Sequence, residues 1–329
     1  MRFLPALALY LSAAPALAGV GEVTDDHIFP GYTAFAAATE TLTETARGDC
    51  TAGALRPAYQ DAFDAWMGVS HLRLGPVETD GRILAISFWP DSRNLTESSL
   101  RRLIAEQDGV VDTPGAYGEV SIAARGLMAL DRLLYDDTLA GYGADSYTCR
   151  LVTAITADLD AMADAVLAEW QQGYADTLRS AGDPENTTFL SQREAAQALF
   201  TVLTTALEFD ADQRIGRPMG TFERPRPTRA EAWRSGRSLR NVELSLVALR
   251  DLALKLSQDE PAQTLAAFDD ALAAARDLDD PVFAGVEDPG SRFKIEILQQ
   301  KIRAAKGAVT LEIGAGLGVS AGFNSADGD

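Results

Sequence analysis

The sequence predicts an all-α protein made of two helical bundle-like domains packed together. Three observations carry that expectation. Apolar residues recur at three- and four-residue spacing along most of the 329 residues, alternating strand patterns are scarce, and turn residues cut the pattern into helix-length pieces. Tyr59, Phe63, Trp66, Ser70 and Leu74 form one stripe; Leu151, Ile155, Leu159, Met162, Val166 and Trp170 form another. Further stripes are Leu199, Val202, Ala206 and Phe209; Leu239, Val242, Leu246, Leu249 and Leu256; and Leu298, Ile302, Ala305 and Val309. A helix with one apolar stripe has to bury it against other helices.

Taken in order, the chain opens as an export signal. Arg2 precedes the apolar run Phe3 to Leu11, and Ala16-Leu17-Ala18 fits the small-x-small cleavage rule, so residues 1–18 are expected to be removed. The run is too short to span a bilayer core of roughly 30 Å, and no later segment is long and apolar enough to do so. The expected location is periplasmic or secreted. In that oxidising setting Cys50 and Cys149, the chain's two cysteines, are expected to form a disulfide.

Residues 19–140 are expected to form an N-terminal bundle and residues 141–329 a C-terminal one, with the seam near 136–146. Arg82 to Trp89 is the main candidate for extended structure. Ser191 to Glu194 and Thr228 to Glu231 read as capping boxes, and Asp280-Pro281 and Asp288-Pro289 as helix starts. The stretch from Ile215 to Pro227, rich in proline, arginine and glycine, is a loop.

The net charge of −19 repels phosphate backbones and anionic lipid, which argues against nucleic acid or a membrane surface as partner. Only two histidines, His27 and His71, are present, so a multi-histidine zinc or iron site is excluded within one chain. A carboxylate-rich site stays open: Glu208 and Asp212 lie four apart on one helix face and are candidate ligands for a hard cation, with a solvated face as the plainer reading. Gly318 to Gly322 matches GxSxG but lacks the strand and helix that motif needs. The glycines from Gly314 to Gly318 sit outside any βαβ unit and read as a flexible or close-packed helix ending.

Five separate stretches stand out: Trp66 with His71 to Pro76, Phe88 to Asp91, Gly126 to Asp131 continuing to Tyr135, Trp233 to Asn241, and the ending Gly322 to Asp329. Together, and in this order, they resemble imelysin-like proteins. The resemblance implies an exported bacterial protein of two helical domains, a site near their interface, and a link to iron acquisition. The family was first classed with metallopeptidases, against which its fold and its lack of a zincin motif argue. Its signature is GxHxxE, whose histidine and glutamate, three apart, share a helix face.

This chain keeps Gly126 but places Met128 at the histidine position and Asp131 at the glutamate position. A thioether and a short carboxylate are a poor pair for iron or zinc, so Met128 reads as packing and Asp131 as a partner for Arg125, Arg132 or a distant arginine. Motif position nominates His71, Trp89, Asp91, Asp131 and Arg237 as cleft residues, with His71, Asp131, Glu208 and Asp212 as metal candidates. No catalytic residue is assigned. Iron or another divalent metal is compatible with the sequence, and none is required by it. The expected function is a non-enzymatic binding or accessory component of iron, metal or haem uptake, with other components of that system as partners. The alternatives are a metal-dependent, peptidase-like hydrolase and a scaffold for a partner protein.

Overall fold

A computed structural model describes residues 19–113 and 115–318. The expected signal peptide, Ser320 and Gly322 of the GxSxG match, and the ending Gly322 to Asp329 lie outside the described residues.

The described residues are helical, with no strand beyond an isolated bridge between Thr221 and Arg224. Helix α1 covers 20–48: a turn Val20–Val23, a π-turn Thr24–Ile28, then Phe29–Gly48. After it come α2 (Ala52–Met67), the short α3 (Arg82–Ile86), α4 (Leu95–Glu106) and α5 (Gly126–Tyr135). Helix α6 is Tyr147–Glu169, extended through a π-turn Trp170–Tyr174 into Ala175–Arg179. Helix α7 is Gln192–Phe209, extended through a π-turn Asp210–Ile215 into Gly216–Met219. Helices α8 (Ser238–Leu256), α9 (Ala262–Arg276) and α10 (Pro289–Val309, ending in a π-turn Thr310–Gly314) complete the described fold. No described helix is long and apolar enough to cross a membrane.

The apolar stripes explain the packing. In the first group α1 packs against α2 and α6, with α5 wedged between α2 and α6; in the second, α7, α8, α9 and α10 pack in succession. Helix α6, which a boundary after residue 140 would give to the second bundle, therefore packs along α1. The first turn of α1 reaches across to α7 and α8, and one continuous core runs through both groups. Phe35, Tyr59, Phe63, Trp170 and Phe268 are fully buried in it. Burial of side chains this large contributes roughly 1.5–3 kcal/mol each.

Cys50 and Cys149 are bridged, with Cα atoms 5.3 Å apart. The bridge ties the α1–α2 turn to the start of α6.

Several local expectations change. Arg82 to Ile86 is a helical turn, and only from Ser87 onward is the chain extended, because Ala85 and Ile86 turn inward together to the core. Thr228 to Glu231 starts no helix: Glu231 is buried and accepts from Arg214 and Asn241 at 2.8 and 2.9 Å, which delays the helix to Ser238. Asp280 accepts from the amides of Ala284 and Gly285 and starts a 3₁₀ turn. Asp288 caps α10 as expected, accepting from Ser291 N–H at 2.8 Å. Ser191 caps α7 by accepting from Glu194 N–H, while the Glu194 carboxylate reaches past it to Leu190 N–H. Gly314 packs closely, since a Cβ there would lie 2.9 Å from the Phe200 ring.

Candidate functional site

The signature helix α5 is placed by its first residue. Gly126 has φ of +65°, and a Cβ on it would sit 2.2 Å from the Ala85 carbonyl oxygen and 2.3 Å from that of Ile86. Only glycine allows α5 to start against the end of α3, and that contact brings the extended segment after α3 alongside the signature residues.

The result is a solvent-open cleft between the two helix groups. One side is the segment Phe88 to Ser92, Thr96 of α4, and Met128, Asp131 and Arg132 of α5. The other is Arg217 at the end of α7 and the loop residues Thr228 to Ala230 and Ala232 to Arg234. Of the residues nominated for a cleft, Trp89, Asp91 and Asp131 line this one; Met128, expected to serve in packing, lines it as well.

Both carboxylates of the cleft are committed to the fold. Asp91 accepts from the amides of Leu95 and Thr96, both at 2.9 Å, and so caps α4. Asp131 is 2 % exposed, and its Oδ1 accepts from Ser235 Oγ at 2.5 Å and from Tyr59 OH at 3.3 Å. Burial pushes the Asp131 carboxyl above the usual range, against the hydrogen bond from Ser235 and the charge of Arg234. The arginine partners expected for it are elsewhere: Arg125 pairs with Asp158, and Arg132 with Glu97 and Asp136. Met128 is half-buried and packs against the core.

Arg132 and Arg234 are anchored by Asp136 at 3.3 and 2.9 Å. Burial works against the Asp136 carboxylate, but hydrogen bonds from Thr138 and Arg234 hold its carboxyl down at about 2. Arg234 also lies over the Trp233 ring, 4.3 Å from its centroid. Arg217 and Arg229 have no carboxylate partner among the described residues; Arg217 meets the Gln213 side-chain oxygen at 3.3 Å and the Trp89 ring at 6.0 Å. Partial burial, and then the charge of Arg229, pull the Arg217 guanidinium below its ordinary range.

The remaining nominated residues lie outside this cleft. Arg237 is buried over the Phe63 ring and bonded to Asp64, Gln60 and Asn241, a structural cation. Glu208 and Asp212 face α10, where they meet Lys306 and Arg303. His71 lines a separate, mostly apolar cavity with Arg73, Val202, Ala206, Phe209 and Arg214. There its Nε2 meets His27 Nε2 at 2.9 Å, while His27 Nδ1 meets Asp251 at 2.7 Å.

Among the described residues no three His, Cys, Asp or Glu side chains are grouped so that they could hold a metal ion. The donors at the signature positions do not fit one either: a half-buried thioether, and a carboxylate with an oxygen already accepting two hydrogen bonds. Sequence reasoning missed Arg217 and Arg229 as cleft residues. Their signal was the density of arginine between Ile215 and Trp233 in so acidic a chain. It also missed the His27–Asp251 contact, whose partners are 224 positions apart.

Known proteins resemble this chain in sequence and in fold. The chain is 24% identical over 319 residues to iron-regulated protein A of Synechococcus elongatus, covering 88% of this chain and 82% of the relative. Its fold matches an imelysin-like protein from Psychrobacter arcticum with a TM-score of 0.75 at 19% identity, over 92% of this chain and 96% of that one. It also matches an iron-regulated protein A precursor from Parabacteroides distasonis with a TM-score of 0.69 at 13% identity, over 92% and 97%. The imelysin family model matches residues 28–309, and the chain therefore belongs to the imelysin family.

Proposed function

We propose that this protein is an exported, non-enzymatic binding or accessory component of bacterial iron uptake, and that it binds its ligand in the cleft beside α5. The carrying observation is Asp131: it stands where the family signature has glutamate, yet it is buried, hydrogen-bonded to Ser235 and Tyr59, and driven toward its neutral form. A carboxylate that is buried and already accepts two hydrogen bonds on one oxygen is a poor metal ligand. Relatives named as iron-regulated proteins supply the link to iron. Other components of the same periplasmic system are the natural partners.

Deleting the gene in its host and measuring cell-associated iron under iron limitation tests the reading. Iron content should fall and be restored by the wild-type gene. Unchanged iron would overturn the uptake role, and peptide hydrolysis by the purified protein that Asp131→Asn abolishes would favour the hydrolase instead.

A further inference from the structure

We propose that the cleft beside α5 is an anion site, and that its ligand is a small molecule bearing two or more carboxylates, alone or as an iron chelate. This rests on the binding role above and names the ligand class.

The charge distribution carries the inference. The chain as a whole has a net charge of −19, yet Arg132, Arg217, Arg229 and Arg234 line this one cleft. Neither of the two carboxylates facing them is ion-paired with an arginine among the described residues. Asp91 is used by three backbone amides, and Asp131 is buried and bonded to two hydroxyls. Arg132 and Arg234 are held in place by Asp136. Arg217 and Arg229 are not matched by any carboxylate among the described residues, and they stand close enough for one charge to act on the other. Two neighbouring cations on one wall of a cleft repel, and an anion held by both converts that repulsion into two attractions.

The geometry suits oxyanions that present more than one oxygen pair. Guanidinium groups bind carboxylates through paired N–H donors, and the arginines come from both sides of the cleft. Arg234 is fixed against Trp233, so part of the ordering cost of binding is already met. Thr96 adds a second, independent observation: it is 3 % exposed, lines the cleft, and its hydroxyl has no hydrogen-bond partner. A long polyanion such as nucleic acid is disfavoured by the charge of the rest of the chain, whereas a small ligand meets mainly the local arginines.

Isothermal titration of the purified protein with citrate, ferric citrate, inorganic phosphate and ferrous ion tests this. Citrate or ferric citrate should bind, and Arg217→Gln and Arg229→Gln should each weaken binding on the order of tenfold or more. Arg303→Gln, on the outer face of α10, should leave it unchanged. Thermal melting of each variant shows that the fold is kept. Absence of binding by both carboxylate probes, or binding indifferent to both cleft substitutions, overturns the proposal, as does phosphate binding more tightly than citrate. Ferrous ion binding that Asp131→Asn abolishes and Arg217→Gln spares would overturn the anion site while leaving the iron role standing. Citrate binding in a protein whose gene deletion leaves cell iron unchanged would do the reverse.

Discussion

His27 and His71, the only histidines of the chain, meet through their Nε2 atoms at 2.9 Å, 44 positions apart in sequence. Asp251 accepts from His27 Nδ1, so when His27 is neutral its Nε2 is a lone pair and the shared proton belongs to His71. His71 Nδ1 then has neither a proton nor a partner. Burial, then the charges of His27 and Arg214, hold the His71 imidazole well below its ordinary range.

Stability should therefore fall in mild acid. The folded-state value of His71 lies below the unfolded value of 6.5, so the unfolded chain takes up this proton first. The contribution is complete above pH 6.5 and is lost as pH drops below it, with a limiting slope of about 1.4 kcal/mol per pH unit. Asp251, whose carboxyl is lowered, adds a second loss that begins only near the ordinary value of 3.8. Urea unfolding at pH 7.5, 6.5 and 5.5 measures the first effect, and His71→Gln should flatten it. A His71→Gln profile as steep as that of the wild type over this range would contradict the assignment.

Gly126→Ala should destabilise on the order of 3 kcal/mol, because it combines a left-handed backbone with a Cβ driven into two carbonyl oxygens. Gly81→Ala, also at positive φ but facing open space, should cost only about 1 kcal/mol. Chemical denaturation of the two variants side by side separates collision from backbone strain.

Arg214 is buried between Asp210 at 2.5 Å and Glu231 at 2.8 Å. Arg214→Met should cost roughly 3–5 kcal/mol, since it leaves two buried carboxylates without their cation. Part of the loss should be recovered at lower pH as those carboxyls take up protons. Thermal melts of the variant at pH 7 and 5 provide the comparison.

Reduction of Cys50–Cys149, or the double substitution to serine, should lower stability by about 2–4 kcal/mol. The bridge closes a 99-residue separation, and its main effect is expected on the unfolded ensemble. Denaturant midpoints with and without reductant test this.

The helices were legible because burial follows periodicity: every member of the Tyr59 and Leu151 stripes is buried. The cleft was half legible. Trp89, Asp91, Met128 and Asp131 were found by motif position, but their roles depend on hydrogen bonds to residues distant in sequence, as with Asp131 and Ser235, 104 positions apart. Arg237 failed as a cleft residue because the ring of Phe63 and the carboxylate of Asp64 draw it into the core. Glu208 and Asp212 failed because α10 supplies a cation to each. A π-turn over Asp210–Ile215 also resets the helix face there, and local spacing does not announce such a turn.

The first turn of α1 has a mechanical consequence. Val20 and Val23 are buried where α1 meets α7 and α8, while the rest of the same helix lies along α2 and α6. Helix α1 thus belongs to both halves of the molecule, its body to the first group and its first turns to the second, so a displacement of its start is felt by both.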